Sequence, residues 1–242
     1  MEPESLITIG EAAMRLGVSR DTLRRWDKSG KLIAIRKNNI RYYLEKSIDN
    51  FLSNLNLSKI AFDWASSDKN TELPQLFYCQ DSSIFQARLV KMKNVLASNP
   101  IFIDILFLLV AVTGEIGSNS FDHNLGNWPD MPGIFFGYDV EKKEIVLADR
   151  GRGLLETLKR VKPSLNNHKD ALNTAFTEVL SGRSPEDRGN GLKFVKKIIL
   201  ENPMNLFFQS GDYYLKMSGL NFNIDIRKSK DYIRGCIAII KF

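Results

Sequence analysis

The sequence predicts an α+β protein in two unequal parts: a small N-terminal unit of helices with a hairpin, and a larger C-terminal unit of strands covered by helices. Three observations carry that expectation. Helical and strand-like periods alternate in short pieces over residues 7–52. A long apolar helical pattern from Pro100 to about Asn124 precedes two strand-like runs. Two glycine-bearing polar runs, DRGRG and RGNGL, follow later in the chain at the ends of apolar elements.

The 242 residues are 43% hydrophobic and 26% charged, a balance that suits a folded globular chain and argues against disorder. The net charge of +6 suits a polyanionic partner without requiring one. Two cysteines, Cys79 and Cys236, form no CxxC pair, which argues against a disulfide framework or a thiolate zinc site. A cytoplasmic protein is expected. The opening MEPESLITIG has no signal-peptide pattern, and the most apolar run, Pro100 to Val112, is too short to span a bilayer and includes Asp104. No membrane association is expected.

In the first part, Ile9 to Leu16 reads as a short helix with Ala12 and Ala13 small enough for a close helix neighbour. Gly17 permits a positive-φ turn, and Ser19 is placed to cap the next helix, SRDTLRRWDKSG. That helix turns Leu23 and Trp26 inward and leaves Arg20, Arg24 and Arg25 available. KLIAIRKNNIRYYL then reads as strand, basic turn and strand, and EKSIDNFLSN as a closing helix. This is a helix-turn-helix with a wing. The residues GEAAMRLGVSRDTLRRWDKSGKL and IRYYL resemble the MerR and excisionase-like winged-helix family. The resemblance implies double-stranded DNA as a partner, with Arg24 and the wing-strand Arg41 on the DNA backbone. The expected DNA face is Ser19, Arg20, Thr22, Arg24, Arg25, Arg36, Lys37, Arg41 and Tyr42. A structural or protein-binding winged helix is the alternative.

Residues 1–53 are thus the expected DNA-binding domain, 54–82 a connector, and 83–242 a second domain. SSDKNTELP is the most polar break within the connector, and Ser83 to Ala97 has helical spacing of apolar residues.

The second domain carries a polar stripe on its long helix. Glu115, Asn119, Asp122 and His123 share one face at i, i+4, i+7 and i+8. Downstream, KEIVLAD ends in Asp149-Arg150-Gly151-Arg152-Gly153, and RGNGL opens a further helix after a polar helical region over 154–187. Two strand-like runs around a Ser210-Gly211 turn follow, and GCIAIIKF closes the chain as a strand. Together EIGSNSFDH, DRGRG, GNGL and Gly235-Cys236 resemble the Bergerat-fold ATP-binding domain of histidine kinases, gyrase, MutL and heat-shock chaperone ATPases. The resemblance covers roughly residues 80–242 and implies a two-layer α/β sandwich with a mixed sheet.

It also implies roles, and ATP and Mg²⁺ as cofactors. Asn119 would offer its amide oxygen to Mg²⁺. Glu115 would act as general base toward the γ-phosphate, and Asp149 would accept from the adenine amino group. Gly151 and Gly153 would let backbone approach the base; Gly189, Gly191 and Leu192 would form the phosphate turn at a helix start. Arg183 and Arg188 would be lid cations, and His123 would support the pocket. A solvated helix face and a metal site of Glu115, Asp122 and His123 remain alternatives. No Walker A motif and no GxGxxG are present. Gly114 and Gly117 stand where that family has larger apolar residues, and the phosphate-side box is a single G-x-G. The only histidines are His123 and His168, which argues against a sensor histidine autokinase. The expectation is a DNA-binding regulator modulated by Mg-ATP. A hydrolase or Ser/Thr kinase of anti-sigma-factor type, and a degenerate interaction platform, are the rivals. A homodimer and a protein partner are further expectations.

Overall fold

A computed structural model describes residues 5–67, 73–178, 191–219 and 224–242. The chain divides into two compact units: Met1–Asn56 with Glu72–Tyr78, and Leu57–Thr71 with Cys79–Phe242.

In the smaller unit, β1 (Leu6–Thr8) leads into α1 (Ile9–Leu16) through a capping box. The Thr8 amide donates to Glu11 Oε2 at 2.7 Å, and the Glu11 amide donates back to Thr8 Oγ1 at 3.3 Å. Gly17 ends the helix at φ 59°. A Cβ there would lie 2.3 Å from the Leu76 backbone nitrogen, so both conformation and space select glycine. Ser19 caps α2 (Arg20–Lys28) by accepting the Thr22 amide at 3.0 Å. The wing is β2 (Ile35–Lys37) and β3 (Ile40–Leu44), antiparallel, joined by Asn38 and Asn39 at φ 50° and 62°. Two central residues with positive φ make a turn whose twist matches its strands. β3 pairs with β1 on its other edge, and α3 (Glu45–Ser53) closes the unit. Its core is Ala12, Ala13, Leu16, Leu23, Leu32, Tyr43 and Ile48, with the Trp26 ring tilted against Phe51 at 5.0 Å.

The larger unit opens with α4 (Leu57–Ser66). Residues 54–82 are therefore more than a connector. Leu57, Ala61, Trp64 and Ala65 are buried at i, i+4, i+7 and i+8, an amphipathic face that seats the helix on the sheet. Then come β4 (Tyr78–Cys79), α5 (Ser82–Ala97), a 3₁₀ turn (Pro100–Phe102) and α6 (Leu106–Asn124). The expected helix start at Pro100 is replaced by that turn. Asn99 caps it by accepting the Ile101 amide at 3.2 Å, and the α-helix begins later. β5 (Ile134–Asp139) and β6 (Glu144–Asp149) form a hairpin; α7 (Gly153–Lys159), α8 (His168–Thr177) and α9 (Gly191–Glu201) follow. β7 (Asn205–Ser218) and β8 (Ile224–Lys241) finish the sheet, in the order β4-β5-β6-β8-β7. The β5–β6, β6–β8 and β7–β8 ladders are antiparallel.

Ser210-Gly211 is not a turn, as the sequence suggests, but lies inside β7 opposite a bulge in β8. Ser210 pairs with Cys236 and Gly211 with Ile233, so β8 carries extra residues there and Gly211 takes φ 67°. Both faces of the sheet are covered. Phe207 meets Phe62 of α4 at 5.8 Å, while the next residue, Phe208, meets Phe176 of α8 at 5.3 Å.

Phe85 of α5 is fully buried between Phe121 of α6 and Phe136 of β5. Its ring lies over Gly117, where a Cβ would stand 2.2 Å from Phe85 Cζ. The close approach of α5 and α6 explains why glycine interrupts an otherwise apolar helix. Gly117→Ala should lower stability by about 1–3 kcal/mol despite alanine's better helix propensity. Thermal unfolding checks this; an unchanged or raised midpoint would show that the ring can yield.

Candidate functional site

The basic surface of the small unit is built around Asp27 on α2. Asp27 Oδ2 accepts from Arg41 Nε at 2.8 Å and from Arg36 Nη2 at 3.4 Å, and Oδ1 accepts the Ala34 amide at 3.1 Å. The Arg41 hydrogen bond, then the Ala34 amide, hold its carboxyl below the usual carboxylate range. Arg41 is thus oriented by an acid rather than free in solvent, which fixes the wing strand against α2. Arg24 pairs with Asp21 at 2.6 Å, both well exposed, and Arg25 donates to Thr22 Oγ1 at 3.3 Å. The Ser19 hydroxyl lies 3.0 Å from that of Thr22. Arg20 packs its guanidinium over Gly10, and Lys37 is exposed at the hairpin end. Tyr42 is half-buried on β3, opposite Thr8 and Ile35. The structure therefore gathers Ser19, Thr22, Arg24 and Arg25 on one helix, and Arg36, Lys37, Arg41 and Tyr42 on the hairpin beside it.

Residues 8–43 match the family described as MerR family regulatory protein. This segment is a MerR-like helix-turn-helix. A stretch of 46 residues is 48% identical to the Type II methyltransferase M.Eco47II of Escherichia coli, covering 18% of this chain and 11% of that protein. The chain thus spans about a tenth of the length of that curated relative.

The second cluster lies at the C-terminal end of α6. Asp149 ends β6 with its carboxylate buried. Ser120 Oγ donates to Asp149 Oδ2 at 2.8 Å and the Gly151 amide to Oδ1 at 2.8 Å; the Cys236 amide also faces this carboxylate. Burial nonetheless outweighs these bonds and pushes its pKa up. The loop that follows is tied down at each step. Asn124 Oδ1 accepts the Arg152 amide at 2.9 Å, while Asn124 Nδ2 donates to the Ser120 carbonyl at 2.8 Å. Ser210 Oγ accepts the Leu154 amide and donates to the Gly235 carbonyl, both at 3.0 Å. Glycine is enforced by space. A Cβ on Gly151 would lie 2.2 Å from Asn124 Nδ2, and one on Gly235 2.2 Å from the Asp149 carbonyl oxygen.

One turn or more earlier on α6, Glu115 and Asn119 are half-buried and face the first residue of α9. A Cβ on Gly191 would stand 2.5 Å from Glu115 Oε2 and 3.2 Å from Asn119 Nδ2. Leu192 turns toward the main core. Glu115, Asn119, Ser120 and Asn124 thus line one helix, fronted by the start of α9 at one end and the Asp149–Gly153 loop at the other. His123 is largely buried on α6, and burial lowers its pKa, which favours the neutral imidazole. Asp122 is exposed. Arg183, Arg188 and Gly189 lie outside the described residues. Among the described residues, no group of three or more His, Cys, Asp and Glu is gathered to hold a metal, so Glu115, Asp122 and His123 do not form such a cluster. No described helix is long and apolar enough to cross a membrane.

Sequence reasoning missed Ser120, Asn124 and Ser210. The i, i+4 step from Ser120 to Asn124 on the polar stripe was the available signal; Ser210 carried none, because it was read as part of a turn.

The raised pKa of Asp149 has a definite sign. A carboxyl whose folded pKa exceeds its unfolded one favours the fold below the unfolded pKa, and that contribution is lost as pH rises through the folded pKa. Asp149→Asn keeps an acceptor for the Gly151 amide and removes the buried charge. The variant should be at least as stable as wild type at pH 7, with any advantage shrinking as the pH falls. Thermal unfolding across pH tests this, and a variant less stable at pH 7 would show that the charge itself holds the loop.

Proposed function

We propose that the chain is a DNA-binding regulator whose smaller unit docks on double-stranded DNA and whose larger unit binds Mg-ATP. The DNA part is supported by the MerR-like segment and by a capped helix beside a basic hairpin. The arrangement around Asp149 carries the nucleotide part. A buried carboxylate at a strand end accepts hydrogen bonds, as the adenine amino group would require of it. In this reading Asp149 selects adenine, and Gly151 and Gly153 let the base approach. Gly191 and Leu192 begin a helix, and a helix start suits phosphate. Asn119 supplies one hard oxygen to Mg²⁺, which takes few protein ligands and completes its shell with phosphate and water.

A second reading, turnover, rests on Glu115. Its carboxylate fronts the same helix start as Asn119, where a terminal phosphate would be held, and it could draw a proton from water or a hydroxyl.

Calorimetry with Mg-ATP tests the first reading. Wild type should bind, and Asn119→Ala and Asp149→Asn should lose most of the affinity; no binding by folded wild type would overturn it. Glu115→Ala should retain binding and abolish phosphate release or transfer. Phosphate release that survives in this variant would remove Glu115 from the chemistry. On the DNA side, Arg24→Ala should weaken binding across all sequences and reduce the salt slope by about one. An unchanged slope would mean that Arg24 does not meet phosphate.

A further inference from the structure

Arg150 links the loop that begins at Asp149 to α4. It directly follows Asp149, and its side chain is buried. Its Nε and Nη2 both reach Asp130 Oδ2, at 3.0 and 2.7 Å, and Nη1 donates to the Trp64 carbonyl at 2.5 Å. The guanidinium also lies 5.9 Å from the Trp64 ring centroid. Arg234 of β8 pairs with the same Asp130 oxygen. Burial raises the Asp130 pKa, but the Arg150 hydrogen bond, the Met131 amide and the two guanidinium charges hold it below the usual carboxylate range.

Trp64 lies in the last turn of α4, where carbonyls have no partner within the helix. A cation there satisfies an orphan acceptor and meets the negative end of the helix dipole. Arg150 is therefore the C-terminal cap of α4, supplied from the loop that holds Asp149. Two buried donors at this seat, Trp64 Nε1 and Arg234 Nε, find no acceptor among the described residues.

We propose that Arg150 couples occupancy of the Asp149 pocket to the order of α4. This rests on the nucleotide reading above. A ligand that hydrogen-bonds Asp149 restrains residues 149–153, and with them the backbone that aims Arg150 at the Trp64 carbonyl. α4 is then held more firmly when the pocket is filled. By linkage, a firmly seated α4 favours the filled pocket to the same extent. α4 follows α3 in the chain after only Asn54, Leu55 and Asn56.

Hydrogen exchange on the full chain, with and without saturating Mg-ATP, tests this, with binding measured in parallel by calorimetry. Exchange in residues 57–66 should slow by about tenfold on binding, an amount typical of a modest shift in a local opening equilibrium. Arg150→Lys keeps the charge but loses the planar fork, and Asp130→Asn removes the carboxylate that orients it. Each should bring α4 exchange with ligand close to that without it, and circular dichroism identifies a variant that has simply unfolded. Mg-ATP that binds wild type yet leaves α4 exchange unchanged would overturn the coupling while leaving the nucleotide reading intact. Folded variants that keep the full slowing would overturn the role of Arg150. A folded wild type that binds no Mg-ATP would overturn the nucleotide reading, and this inference with it.

Discussion

The larger unit is organised around the buried carboxylate of Asp149. Taking the Asp149 carboxylate out of water is costly, and the surrounding chain is arranged to offset that cost with donors. Ser120 is placed on the carboxylate by the helical period of α6. The Gly151 amide arrives because the loop folds back, and Asn124 holds that fold. The bulge in β7–β8 brings Gly235 and Ser210 against the same loop. Each glycine near the site follows from this crowding, since a side chain at Gly151 or Gly235 would occupy the space of the groups that satisfy Asp149. Burial leaves its pKa raised despite these donors.

The smaller unit solves a related problem by pairing rather than burial. Asp27 gathers Arg36 and Arg41 and the Ala34 amide, so one acid sets the attitude of the hairpin toward α2. Arg24 and Arg25 keep to short-range partners on their own helix and stay exposed. The two sets of arginines differ in consequence. Removing Arg41 disturbs how the hairpin is held, whereas removing Arg24 takes away an exposed charge and little else.

Local chemistry was the part most readable in advance. Gly17 and Ser19 announce their conformations through residue type alone, and the strand-turn-strand of the hairpin follows from alternation. The polar stripe from Glu115 to His123 was visible because polar groups at helical spacing on an apolar helix stand out. α4 was passed over because its short apolar pattern borders the polar SSDKNTELP run. Ser210-Gly211 read as a turn because turns and bulged ladders use the same small residues, and only the partner strand's extra residues distinguish them. Arg150 gave no signal, since its partners Asp130 and Trp64 are distant in sequence and brought together by tertiary packing alone.

The covering of both sheet faces has a consequence for strand alignment. In a sheet with one wet face, a slip of one residue exchanges core for solvent and is rejected for that reason. β6 is buried at every position from Glu144 to Asp149, so a slip there would trade one apolar residue for another. Alignment must be specified by polar pins at the strand ends instead. Glu144 is fixed by Ser58 Oγ at 2.6 Å and by Lys241 Nζ at 3.1 Å, its partner across the ladder. At the other end Asp149 is fixed by Ser120 and the Gly151 amide. Two carboxylates at opposite ends of one strand therefore act as its vernier, and the apolar residues between them supply cohesion without choosing the register.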